Sequence, residues 1–337
     1  MKRQNTYIKI IIGLLIGLVF ILLWLNIIDL NELFKHISSI NIYYLFPAIT
    51  FYLLSYFLRS LRLRKLILCG SNICDLPKNN IPIFKNFAYI LAGNFINYII
   101  PIRAGEVAKS IFYKKNHAIR YSDSLPSIFV DKLLDTFVIF VVLLLIPFTS
   151  IVFTHALSIL VGLLILFFLI GAGILIISSF SGSFVVKFLQ MLFFFLPKKF
   201  RDKINNFIEL FVKGLAIFKQ NKALFIPCIL LTFLATFSDS LFFFMMFAAF
   251  DVAISFTQIL FGYTLIFLSY VLPHPPAQIG SNELLMILIF TVGFGYGENI
   301  ISAIMSLSHL LTAVVIFITG SLSLAYAGYK KIDLFKM

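Results

Sequence analysis

Three arginines, a lysine and a few carboxylates stand where the surrounding sequence is almost wholly apolar, and they are the residues able to do chemistry. Arg103 and Glu106 lie in YIIPIRAGEVAKS (98–110), where an apolar run stops at Pro101 and resumes after Gly105. Three residues apart, the two share a helical face. A planar guanidinium there suits bidentate recognition of phosphate. The start of a return helix over Gly105–Tyr113 would add free N–H groups and positive dipole. A mutual salt bridge that closes the turn accounts for the same pair. Glu283 follows Gly280 in PHPPAQIGSNE (273–283). It would bind a cationic group or relay protons, although a helix dipole alone also favours a carboxylate there. FVDKLLD sets Asp131 and Asp135 four apart on one face, around Lys132. They either form part of a site or pair with Arg59 or Arg62 across helices. Asn94 and Asn97 either line the same cavity or bond helices together. Asp239, in ATFSDSLFFF, is expected to bond to Ser238 or Ser240, or to be protonated.

Other chemistries find no support. There is no nucleotide-binding loop, nucleophile elbow or metal signature, so no cofactor and no metal are expected. Cys69, Cys74 and Cys228 set no disulfide framework, and the five histidines are scattered.

The elements that must position these residues are membrane helices. Of 337 residues, 61% are hydrophobic and 12% charged, with a mean hydropathy of +1.03. A soluble domain carries about a quarter charged residues. Runs longer than about 18 apolar residues predict six spans, at 8–28, 42–58, 126–148, 156–177, 224–247 and 300–324. The first follows Lys2, Arg3 and Lys9 and is too long for a signal-peptide core, so it is read as retained. The net charge of +13 is not a nucleic-acid surface. Lys and Arg cluster around 59–85, 114–120, 187–222 and 330–336, all on the side of Lys2 and Arg3, and only Lys35 falls opposite. Both termini are therefore expected in the cytosol, with the basic collar facing anionic headgroups.

The same rule shapes the stretch 83–113. If its first half crossed alone, Lys114 and Lys115 would face outward. An inner re-entrant hairpin, entering from the cytosol and turning at Pro101–Gly105, keeps the charge map consistent. A second hairpin is expected at 256–292, entering from the outer side and turning between Pro273 and Gly280; two full spans there would satisfy the charge map equally. The tips NYIIPIRAGE and SYVLPHPPAQIGSNE share a tyrosine, two aliphatics, a proline, a small-residue turn and a glutamate. Opposed broken helices meeting near the midplane are the pattern of an inverted repeat. Residues 178–223 place lysines among aromatics at helical spacing, as cytosolic interfacial helices do. A short element at 30–40 is expected on the outer face.

With these pieces, LRSLRLRKL (Arg59, Arg62), PIRAGE (Pro101, Arg103, Gly105, Glu106), FVDKLLD and the tip Pro273–Glu283, the chain resembles the lysylphosphatidylglycerol synthase transmembrane-region, or flippase-like, family over nearly its whole length. The family's outer tip reads roughly P-x-x-P-G-G-x-G-x-x-E; here only Gly280 of its glycines is kept. The chain ends just after its last span, so the resemblance implies a lipid-translocating unit without the soluble aminoacyl-transferase domain. It also implies a bacterial inner (plasma) membrane.

Together these readings give an all-α polytopic membrane protein, a single domain over 1–337, moving a phospholipid or other polar lipid between leaflets. Arg103 would hold phosphate, Glu106 and Glu283 a cation or proton, and Arg59 and Arg62 would gather headgroups on the cytosolic side. The expected partners are membrane lipids, anionic or otherwise polar. A membrane-embedded headgroup transferase, a non-catalytic partner of a lipid-synthesis enzyme and a homo-oligomer remain open.

Overall fold

The computed structural model describes residues 19, 22–70, 81–100, 104–145, 222–269 and 275–328, with 154–155, 158–159, 161–163 and 165–166. Every regular element among them is helical. The expected spans at 8–28 and 156–177 lie mostly outside the described residues. So do the interfacial helices at 178–223, apart from the last two residues.

Helix α1 (Leu30–Ser38) is the short element expected near residue 30. The Asp29 carboxylate accepts from the N–H groups of Asn31 and Glu32, and Lys35 and His36 face the negative end of the dipole. Helix α2 (Leu45–Gly70) follows. Its Pro47 falls in the first turn, where a missing N–H costs nothing. At 26 residues it is about 39 Å long and overruns the predicted span 42–58. Among the described residues, three helical stretches are long and apolar enough to cross a membrane: Ile42–Cys69, Phe225–Ala249 (α6) and Glu298–Tyr326 (α9). Helix α5 (Tyr121–Leu145) matches them in length but carries Asp131, Lys132 and Asp135 together.

The remaining described helices form two antiparallel hairpins. In the first, α3 (Ile83–Ile99) and α4 (Ala104–His117) double back on each other. The Tyr113 hydroxyl donates to Asn86 Oδ1 at 2.6 Å, and Tyr89 and His117 meet at 3.2 Å. The arms touch backbone to backbone: a Cβ on Gly105 would run into the Gly93 carbonyl. Helix α4, at 14 residues, is about 21 Å long, short of a hydrocarbon core of about 30 Å. In the second, α7 (Phe256–Ser269) leads to a tip, then α8 (Ser281–Met286) continues into a π-helical stretch, Ile287–Gly293. The Tyr296 hydroxyl closes its open end on the Ala253 carbonyl and Gln258 Oε1, at 3.3 and 3.2 Å. Here Gly262 admits the ring of Phe290, which a Cβ would displace.

The hairpins open toward opposite poles. Ala118, Tyr121 and the C-terminal end of α9 share one pole, where Lys115 and Asn116 donate to the carbonyls of Gly328 and Ala327. At the other, Asn41 N–H donates to the Ala249 carbonyl and Asp29 N–H to Asn299. Among the described residues, the two largest of four apolar clusters lie between. One gathers Val138, Phe242, Phe247, Phe261, Phe290 and Ile301, and the other Leu63, Ile67, Ile96, Phe112, Ile316 and Leu324. On α2, α5, α6 and α9 the residues between the two cores are polar: Arg59 and Arg62, Asp131 and Asp135, Thr232 and Asp239, His309. The molecule therefore carries a polar belt at mid-height.

Candidate functional site

The belt is an ion network. Arg62, fully buried, donates through Nε to Asp131 at 2.7 Å and through Nη1 to Asp135 and Thr232, both at 2.8 Å. Arg59 donates to Asp239 Oδ2 at 2.6 Å, and its Nε lies 3.8 Å from Asp135. The same Asp239 oxygen accepts from the Tyr263 hydroxyl at 2.6 Å. Tyr56 and Phe267 rings flank the Arg59 guanidinium at 5.9 and 6.0 Å, which favours a desolvated cation. Lys132 sits 3.5 Å from Asp135 and 3.8 Å from Glu106. Glu106 also accepts from Lys109 at 2.8 Å and from Asn97 Nδ2 at 3.2 Å. Asn97 Oδ1 in turn takes the free N–H of Gly105 at 2.7 Å, capping the start of α4. Four cations thus face four carboxylates, as burial of charge requires.

The belt surrounds a cavity of about 290 Å³, roughly the space of ten waters in the liquid. Arg59, Asn94, Asn97, Glu106, Lys132 and Asp135 line it from one hairpin and the long helices. The second hairpin's tip enters from the far side through Pro275, Ala277, Gln278 and Asn282. His309 joins the two: Nδ1 lies 2.7 Å from Glu283, and Nε2 lies 2.7 Å from the Ala277 carbonyl and 3.1 Å from the Tyr98 hydroxyl. Among the described residues, Asn282 Oδ1 and Glu283 Oε2 are buried without a hydrogen-bond partner.

The structure brings together most residues singled out from sequence. Glu106, Asn94, Asn97, Asp135 and Arg59 line the cavity; Arg62 and Asp131 stand one layer behind it, and Glu283 behind His309. Pro101, Arg103 and Pro273 lie outside the described residues, and the partners of Glu106 within them are Lys109, Lys132 and Asn97. Gly280, at φ 79, turns the tip into α8.

Two readings need correction. Arg59 and Arg62 do not lie in a connection between spans. They are inside α2, at 8% and 0% exposure, because carboxylates from α5 and α6 neutralise them and let the helix run on. Asp239 does not bond to its neighbours: the Ser238 and Ser240 hydroxyls donate to the carbonyls of Leu234 and Thr236, and its partners are Arg59 and Tyr263. Sequence reasoning missed His309, Lys109, Tyr98 and Tyr263. For His309, in SLSHLLTAV, an ionisable group inside an apolar run was the available signal.

A helical chain with membrane-length apolar helices and ionised residues buried at mid-height is an integral membrane protein. The family model for the lysylphosphatidylglycerol synthase TM region matches residues 10–320, and the chain belongs to that family, a membrane-protein family linked to lipid metabolism. No curated protein and no solved structure matches the chain.

Proposed function

We propose that the chain, acting as one integral membrane domain, is a lipid translocase whose cavity binds a polar headgroup and passes it between leaflets. One observation carries this reading: two hairpin tips from opposite poles meet at an ionised, mid-height cavity large enough for a headgroup. In the bilayer, both hairpins are re-entrant, since arms of about 20 Å, and about 25 Å for α3, fall short of a core of about 30 Å. Broken helices at that depth are tolerated where they line a wet cavity, and transporters place their sites there. Lys132, and Arg103 from the inner tip, would meet a phosphate. The acceptor Asn282 Oδ1 would meet a hydroxyl or amine donor. Acyl chains would stay in the lipid, since the cavity holds no more than a headgroup. The basic pole faces the cytosol, with both termini, and the membrane is a bacterial inner (plasma) membrane.

Proteoliposomes carrying fluorescent phospholipids of several headgroups test this reading. Single cysteines at Ala118 and Asn31, in a cysteine-free background, report orientation: the first should label from the cytosolic side and the second from the opposite side. Leaflet exchange of at least one lipid, at unchanged headgroup chemistry, is the expected result. A modified headgroup would point to a transferase instead. No exchange with any lipid tested would defeat translocation.

A further inference from the structure

The contacts of His309 fix how many protons the outer tip holds. Its Nε2 lies 2.7 Å from the Ala277 carbonyl. A carbonyl offers no proton, so Nε2 must donate. Its Nδ1 lies 2.7 Å from Glu283 Oε1, so a proton sits between these two atoms as well, on one or the other. Imidazolium with carboxylate and imidazole with carboxylic acid both satisfy the geometry. Each holds one proton more than neutral histidine beside a carboxylate.

Loss of that proton leaves one hydrogen for two acceptors. If it stays on Nδ1, facing the Glu283 carboxylate, Nε2 presents a lone pair to the Ala277 carbonyl, and that contact turns repulsive. Tyr98 then supplies a replacement: its hydroxyl, 3.1 Å from Nε2, donates to the bared nitrogen. The tip is set to move when released. Ala277 and Gln278 stand at φ 55 and 61, a left-handed conformation disfavoured for residues with a Cβ and held only by surrounding contacts.

We propose that Glu283 and His309 form a proton-binding site whose one exchangeable proton latches the outer tip to α9, making H⁺ the ion that couples to opening of the cavity. The coupling role rests on the translocation reading; the latch does not. The groups facing the pair are Tyr98 from α3, the Ala277 carbonyl from the tip and Asn282 on α8. Arg59 of α2, Glu106 of α4, Lys132 and Asp135 of α5, Asp239 of α6 and Tyr263 of α7 line the same cavity and are bonded among themselves. Among the described residues, buried Glu283 Oε2 has no hydrogen-bond partner, so the contact to His309 carries the hydrogen bonding of that carboxyl group.

The test measures tip accessibility in detergent, where no lipid exchange is involved. In a background lacking Cys69, Cys74 and Cys228, a cysteine at Gln278 is labelled with a bulky maleimide. Its rate is divided by that of a cysteine at exposed Ser39, which removes the thiol's own pH dependence. The ratio should rise about tenfold between about pH 5 and pH 9. Glu283→Gln donates an N–H to Nδ1 without titrating, so its ratio should stay low throughout. His309→Phe should stay high. Tyr98→Phe, lacking the replacement donor, should move the rise to higher pH. A flat ratio in the parent, or an unaltered rise in Glu283→Gln, overturns the latch. A responsive tip in a protein that exchanges no lipid sustains the latch and defeats translocation; exchange with a flat ratio does the reverse.

Discussion

Arg62→Met should destabilise the protein by about 3–5 kcal/mol, because it strips the counter-charge from two carboxylates that cannot reach water. Asp131 and Asp135 are both nearly inaccessible, and Arg62 contacts each at under 3 Å. Lys132 lies 3.5 Å from Asp135 and supplies only part of the replacement. Arg62→Lys should recover little, since one ammonium cannot reproduce a fork that serves Asp131, Asp135 and Thr232 together. Adding Asp131→Asn and Asp135→Asn to Arg62→Met removes charge of both signs and should restore most of the stability. Thermal aggregation midpoints in detergent read all three. A single variant as stable as the parent would show that the carboxylates do not depend on Arg62.

Lys132→Gln should lower lipid exchange by about 10- to 100-fold while leaving the fold nearly intact. The lysine side chain is 36% exposed, whereas those of Arg59, Arg62 and Lys109 are at 9% or less. Its ion contacts, at 3.5 and 3.8 Å, are also longer than the direct bonds of the other three. It is therefore the belt cation most available to an incoming phosphate. A hydrogen bond to a charged group contributes about 1.5–3 kcal/mol, and each 1.4 kcal/mol is tenfold. Loosely held exposed pairs contribute about 1 kcal/mol or less to stability, so the melting midpoint should barely move. Loss of activity in step with loss of folded protein would instead make Lys132 a structural ion.

Apolar length and charge asymmetry made the helical membrane fold legible in the sequence, and α4 was marked by being too short to cross. What they could not show was neutralisation at a distance. Arg59 and Arg62 look like loop residues to any local count, because the carboxylates paired with them inside α2 come 69 to 180 residues later. Asp239 failed for the same reason: its partners are on other helices. The tip illustrates a different limit. Ala277 and Gln278 both stand in left-handed backbone. The turn takes this geometry without the glycine that favours it, and sequence alone offered no sign of what holds it.

The belt also bears on how the chain is made. Helix α2 leaves the ribosome with Arg59 and Arg62 already in place and none of their carboxylates yet synthesised. An unpaired arginine at a helix centre disfavours insertion by about 2.5–3.5 kcal/mol, so two of them oppose the apolar drive of the rest of α2. The segment becomes a comfortable lipid-embedded helix only when α5 brings Asp131 and Asp135, and its last ion pair waits for Asp239. The expected consequence is delayed commitment, with α2 held at the translocon or the interface until its later partners arrive.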